Sequence, residues 1–118
     1  MARQTVKVKV FESQDISSLA SFQRKINANI GYFVQFNYTG VAGPALVKFY
    51  ASTDGVNWVL SEVSNPSSGA VEDGITLDAG SGSVALQSDA WRADFVKIEV
   101  SGGTAGTLDA FMDYQENY

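Results

Sequence analysis

Three acidic side chains, Glu72, Asp73 and Asp78, lie close enough in sequence to converge around one loop. A pair of carboxylates is the machinery of glycoside hydrolysis, which makes them the first candidates for chemistry. Their setting points elsewhere. Residues 64–74 read Ser-Asn-Pro-Ser-Ser-Gly-Ala-Val-Glu-Asp-Gly, a run of turn formers and acids, so solvated loop acidity is the favoured reading. Asp54 and Asn57 supply oxygen ligands of the kind calcium takes, at a spacing that fits no defined calcium loop. Serine is abundant, but a serine nucleophile needs an activating base, and the chain has no histidine. The absence of histidine and cysteine together removes the usual zinc, haem and thiolate ligands. Glycine-rich stretches at 79–83 and 102–106 do not precede a helix and so offer no row of free amides to a phosphate. No enzymatic activity, cofactor or metal is expected.

The remaining candidates are aromatic. Trp58, Trp91, Tyr50 and Tyr118 are side chains of the kind that stack on sugar rings, and core or sheet packing is the competing role for both tryptophans. With thirteen acidic residues against eight basic ones, the formal charge is −5, the wrong sign for neutralising phosphates, and nucleic acid is not an expected partner. Five of the eight basic residues, Arg3, Lys7, Lys9, Arg24 and Lys25, come early. They read as scattered solvated charge or, alternatively, as a polar docking end.

The elements that must position these residues follow period two. Val6, Val8 and Val10 alternate with Lys7 and Lys9; Tyr32, Val34, Phe36 and Tyr38 with Phe33, Gln35 and Asn37; and Val47 and Phe49 with Leu46 and Tyr50. Further on, Val96, Ile98 and Val100 alternate with Phe95, Lys97 and Glu99, and Leu108, Ala110, Met112 and Tyr114 with Asp109, Phe111 and Asp113. Asp54-Gly55 between β-formers predicts a hairpin, and 102–106 predicts a second one joining the last two strands. Short strands are also expected at 75–77 and 84–86. Residues 12–29 mix loop chemistry with Ile16, Leu19, Phe22 and Ile26 at near-helical spacing, which fits a loop with a short strand or a single helical turn. About eight short strands and no amphipathic helix predict an all-β, antiparallel β-sandwich, jelly-roll or Ig-like, in one domain spanning 1–118. Within it, 1–29 is alternatively an N-terminal arm or oligomer contact. The opening Met-Ala-Arg-Gln-Thr-Val lacks a long apolar stretch, so neither a signal peptide nor membrane insertion is expected, and synthesis in the cytoplasm is.

The segment Lys48-Phe49-Tyr50-Ala51-Ser52-Thr53-Asp54-Gly55-Val56-Asn57-Trp58 resembles a Ser-x-Asp-Gly-x-x-Trp hairpin of extracellular and viral β-sandwiches, discoidin-like carbohydrate-binding modules among them. Taken with 31–40 before it and 93–111 after it, the order of pieces resembles that of small bacteriophage virion proteins used as capsid, decoration, fibre or tail components. The resemblance covers about residues 30 to 114. It departs at Trp91-Arg92-Ala93-Asp94-Phe95, where an Arg-Tyr phrase is expected. It implies a non-enzymatic virion structural protein that self-associates as a homo-oligomer and docks on other virion proteins of the capsid or tail. The alternative it leaves open is a carbohydrate-binding, receptor-binding module whose partner is a host-surface glycan.

Overall fold

The computed structural model describes residues 3–26, 28–61, 63–64, 71–72, 74–88 and 94–117, all of them in strands or the turns between strands. The strands are β1 (Arg3–Asp15), β2 (Ala20–Lys25), β3 (Ala28–Ala42), β4 (Ala45–Ser52), β5 (Val59–Ser61), β6 (Val63–Ser64), β7 (Val71–Glu72), β8 (Ile75–Leu77), β9 (Gly80–Ser88), β10 (Phe95–Ser101) and β11 (Ala105–Asn117). They form two antiparallel sheets. One has the order β1-β11-β3-β9-β6-β7, the other β2-β10-β4-β5 with β8 also paired to β4.

Period two is the reason both sheets have a dry side. On β10 the residues Val96, Ile98 and Val100 are fully or almost fully buried, while Phe95, Lys97 and Glu99 between them are half-buried. The same alternation buries Val34 and Phe36 on β3, Val47 and Phe49 on β4, and Leu108, Ala110 and Met112 on β11. These rows meet in one cluster between the sheets. Phe49 is at its centre, edge-on to Phe36 with ring centroids 6.0 Å apart and stacked on Tyr32 at 6.1 Å, so one β4 side chain touches two residues of the facing β3. Burying a phenylalanine of this kind stabilises the fold by about 2–3 kcal/mol.

The wiring decides between the two sandwich types. From β1 to β4 each strand lies in the opposite sheet from the one before it, and so does each from β7 to β11; the one hairpin among the described residues of the smaller sheet is β4–β5. This alternation, with β11 inserted between β1 and β3 and β10 between β2 and β4, is that of a jelly roll. An Ig-like sandwich instead joins sequential strands within a sheet by hairpins.

The predicted hairpin of the last two strands is corrected by this topology. β10 pairs with β2 and β4, whereas β11 pairs with β1 and β3 in the other sheet. Both strands bury one face, and a hairpin and a crossover satisfy that pattern equally well. What selects the crossover is the loop between them: the Thr104 amide and hydroxyl both donate to the Ala42 carbonyl, and the Ile16 amide donates to the Gly106 carbonyl. These bonds tie three connections together at one end of the sandwich.

The ambiguous region 12–29 contains the end of β1, a turn, the short strand β2 and the first residues of β3. Its apolar spacing marks core contacts, with Ile16 and Ile26 buried, and Phe22 packed against the cluster; Leu19 remains exposed. Ser13 takes a left-handed backbone, φ 45°, within a register irregularity of β1, and its amide donates to Asp109 Oδ1 at 2.8 Å.

Candidate functional site

Because β4 and β10 are antiparallel neighbours, their outward residues fall in register. Lys97 is opposite Tyr50, Glu99 is opposite Lys48, and Phe95 is opposite Ser52. On the other side of β10, β2 places Lys25 beside Phe95, Gln23 beside Lys97 and Ser21 beside Glu99. Leu60 of β5 continues the Tyr50 row. The outer surface of the five-stranded sheet is therefore a lattice of lysines and aromatic rings.

Two predicted site residues come together here. The Lys97 ammonium lies 4.8 Å from the Tyr50 ring centroid and 4.9 Å from that of Trp58. Lys25 stands over Phe95 at 5.9 Å. Each such contact draws a cation to the negative face of a ring, an attraction of about 0.5–1 kcal/mol at partly exposed sites. Lys97 thus contacts two rings at once. The Tyr50 phenol is raised above its ordinary pKa, first by burial and then by its hydrogen bond to Glu99 and the charge of that carboxylate. Sequence alternation sets Lys97 and Phe95 on one row of their strand, but nothing in the sequence links them to Tyr50, which is nearly half the chain away.

The β4–β5 loop positions Trp58. The Asp54 carboxylate accepts at Oδ1 from the Val56 amide (2.8 Å), the Asn57 amide (2.9 Å) and the Ser52 hydroxyl (2.8 Å), and at Oδ2 from the Asn57 side-chain amide (3.0 Å). These bonds, led by that of the Asn57 amide, hold the carboxyl far below the usual carboxylate range. Its oxygens face N–H and O–H donors, the wrong company for a cation. Gly55 closes the turn with φ +75°, and a Cβ there would also come within 3.2 Å of the Phe95 ring. The hairpin predicted at Asp54-Gly55 is present, with a loop of 53–58 rather than a two-residue turn.

The other candidates are dispersed. Glu72 is on β7 at the edge of the six-stranded sheet, and Asp78 follows β8 of the other sheet. Asp73, Trp91 and Tyr118, with most of the acidic loop 64–74, lie outside the described residues. Among the described residues no group of three or more acidic, histidine or cysteine side chains is placed to hold a metal ion, and no helix is long and apolar enough to cross a membrane.

The two sheets differ in charge. Strands β2, β4, β5, β8 and β10 carry Arg24, Lys25, Lys48 and Lys97 against Glu99 alone. Among residues whose side chains are described, strands β1, β3, β6, β7, β9 and β11 carry Lys7 and Lys9 against Glu12, Asp15, Asp109 and Asp113. The outer face of the six-stranded sheet also exposes two large rings, Phe33 at 39% and Phe111 at 43%, while Leu46 at 37% and Leu60 at 41% stand on the cationic face.

No family model and no curated protein matches the sequence. Among solved structures, the fold is similar to that of the SPBc2 prophage-derived protein YomS, with a TM-score of 0.69 over 96% of this chain and 95% of that one, at 12% identity. The structure of infectious bursal disease virus Gx strain aligns with 98% of this chain and 42% of its own at 9% identity, and its TM-score of 0.32 is too low to carry an argument. At such identities a shared fold is what the likeness to YomS establishes.

Proposed function

We propose that this chain is a non-enzymatic bacteriophage structural protein that self-associates and docks on the capsid or tail of a virion. The observation that carries the reading is the end-to-end correspondence in fold with a prophage-derived protein, in which neither chain has a large part unmatched. The exposed side chains support it. Both sheet faces present large hydrophobic groups to a partner, Phe33 and Phe111 on one and Leu46 and Leu60 on the other.

The glycan-binding reading draws on Tyr50 and Trp58 sharing one surface. It has less support, because the Lys97 ammonium already stands against both rings.

Light scattering at several concentrations tests the proposal. Species larger than the monomer, together with co-sedimentation of the protein with phage particles, are the expected result. A strict monomer that never associates with particles, or a hit on a glycan array from such a monomer, overturns it. Deleting residues 1–12 is a poor test, since Val8, Val10 and Phe11 are part of the core.

A further inference from the structure

We infer that copies of this chain associate face to face and head to tail, the cationic outer face of the five-stranded sheet seating on the acidic outer face of the six-stranded sheet of the next copy. The inference rests on the self-associating reading above and names the two surfaces involved.

Charge complementarity is the first argument. On the cationic face the outward residues Lys25, Lys48 and Lys97 meet one carboxylate, Glu99, on a chain whose formal charge is −5. None of those lysines has an ion-pair partner among the described residues; the two ion pairs found, Lys7–Asp113 and Lys9–Glu12, both belong to the other sheet. On that sheet Lys7 and Lys9 are outnumbered by Glu12, Asp15, Asp109 and Asp113. A chain built this way attracts its own kind in one orientation. Cationic face against cationic face, or acidic against acidic, is repulsive, which disfavours a twofold dimer through either surface and favours the head-to-tail arrangement.

Apolar area and order add to it. Phe33 and Phe111 sit on neighbouring strands β3 and β11, one register step apart, since Phe111 is opposite Gln35 and Asp113 opposite Phe33. Across from them the cationic face offers Leu46, Leu60 and the Tyr50, Trp58 and Phe95 rings. The Lys97 ammonium already lies against two of those rings, so less side-chain freedom remains to be lost when it meets a carboxylate. The molecule measures 45 × 29 × 26 Å, so a sheet face has room for the roughly 800 Å² per partner of a standard interface. Two twisted sheets stack on each other in the same manner as the two within the sandwich.

Charge exchange provides the test. Lys48→Glu with Lys97→Glu reverses the cationic face, and Phe111→Ser with Asp113→Lys disrupts the acidic one; circular dichroism establishes that each variant is folded. Light scattering of the wild type is expected to show a mass that rises with concentration and falls as sodium chloride is raised. Either double variant alone is expected to need at least about tenfold higher concentration to associate. Mixing the two is expected to restore association, because each retains the face the other lacks. Loss in the first variant with none in the second points to a symmetric contact between cationic faces and overturns the inference. A defined oligomer that survives both variants also overturns it while leaving the structural role standing. If neither the wild type nor the mixture associates, and particles are not bound either, both readings fall. A fifth measurement guards against misfolding: Lys97→Gln, which keeps the stem of the side chain, is expected to weaken association by a smaller factor, and no change overturns the role of Lys97.

Discussion

The Ser52 hydroxyl donates to Asp54 Oδ1 at 2.8 Å while accepting from the amides of Asp54 at 3.2 Å and Gly55 at 2.9 Å. Ser52 is buried and Asp54 exposed, so a polar group taken from water at the end of β4 is satisfied by the loop that follows it. The pair converts a six-residue loop into a fixed platform for Trp58.

Replacing Asp54 by alanine removes the acceptor for the Val56 and Asn57 amides. The sandwich is expected to stay folded, since the core lies elsewhere, while the loop opens. Amide hydrogen exchange reads this directly: protection at Val56 and Asn57 falls by about tenfold or more, and protection of Val96 and Ile98 on β10 is unchanged. Equal loss at all four positions marks global destabilisation in place of a local opening.

The same carboxylate gives a pH dependence of defined sign. Asp54 has a pKa lowered in the folded chain, by the Asn57 amide first, and Asp15 is lowered likewise by the Ser17 amide. A depressed folded value means that the unfolded chain binds the proton more readily, so stability rises with pH in the window between the two values. The contribution is complete above the unfolded carboxylate value of about 3.9 and is lost as pH falls below it towards the folded value. Melting temperatures of the wild type and Asp54→Asn are expected to differ at neutral pH and to converge below about pH 4. A constant gap down to about pH 2 contradicts the assignment.

How much of this was legible in the sequence depended on whether the signal was local. Alternation set Val96, Ile98 and Val100 on one row and Phe95, Lys97 and Glu99 on the other, and the structure buries the first row and leaves the second half-buried. Asp54-Gly55 marked a turn because its chemistry is confined to a few neighbouring residues. Partner choice between strands is not local. The pattern of β10 and β11 satisfied a hairpin as well as a crossover, and the bond from Thr104 to Ala42 that distinguishes them spans 62 positions. The Tyr50–Lys97–Trp58 cluster was half legible for the same reason: the aromatics stood out by type, whereas the lysine between them was recognisable once β4 and β10 were known to be adjacent. Ile16 shows a third case: its neighbours Asp15, Ser17 and Ser18 mark the segment as loop, which it is, and hide that a residue of that loop is part of the core.

The Lys97 contacts carry a measurable coupling. A double-mutant cycle with Tyr50→Leu and Lys97→Gln isolates the pair, since each change leaves the strand pairing in place. A coupling free energy of about 0.5–1 kcal/mol from urea unfolding is expected for a ring and an ammonium in this half-buried setting. The Lys7–Asp113 pair, with side chains 78% and 41% exposed and an Nζ to Oδ2 distance of 3.2 Å, is the internal comparison. Its cycle is expected to give about 0.5 kcal/mol or less, falling further in salt. If the exposed ion pair couples more strongly than the lysine between its rings, the view of Lys97 as a pre-ordered group is wrong.

Gly106 tests the knitting of the loop end. Its φ of +125° is unfavourable for any residue with a side chain, and a Cβ would approach the Val41 Cα to 2.9 Å and the Gly40 carbonyl to 3.2 Å. Both obstacles are backbone, so neither can swing away. Relief requires β11 to move off β3 where the two strands already shift register between Ala105 and Thr107. Gly106→Ala is therefore expected to lose about 2 kcal/mol or more, combining backbone strain with disturbed pairing. Thr107→Ala, one residue on and facing solvent, is expected to change stability by less than about 0.5 kcal/mol. Urea midpoints at constant slope decide the matter, and the mechanism predicts a further sign: because Gly106 also accepts from the Ile16 amide, exchange at Ile16 rises in the alanine variant. A Gly106→Ala protein as stable as the wild type, with Ile16 equally protected, shows that the strands yield at this point and that the crossover is not held by the close approach of Gly106 to Val41.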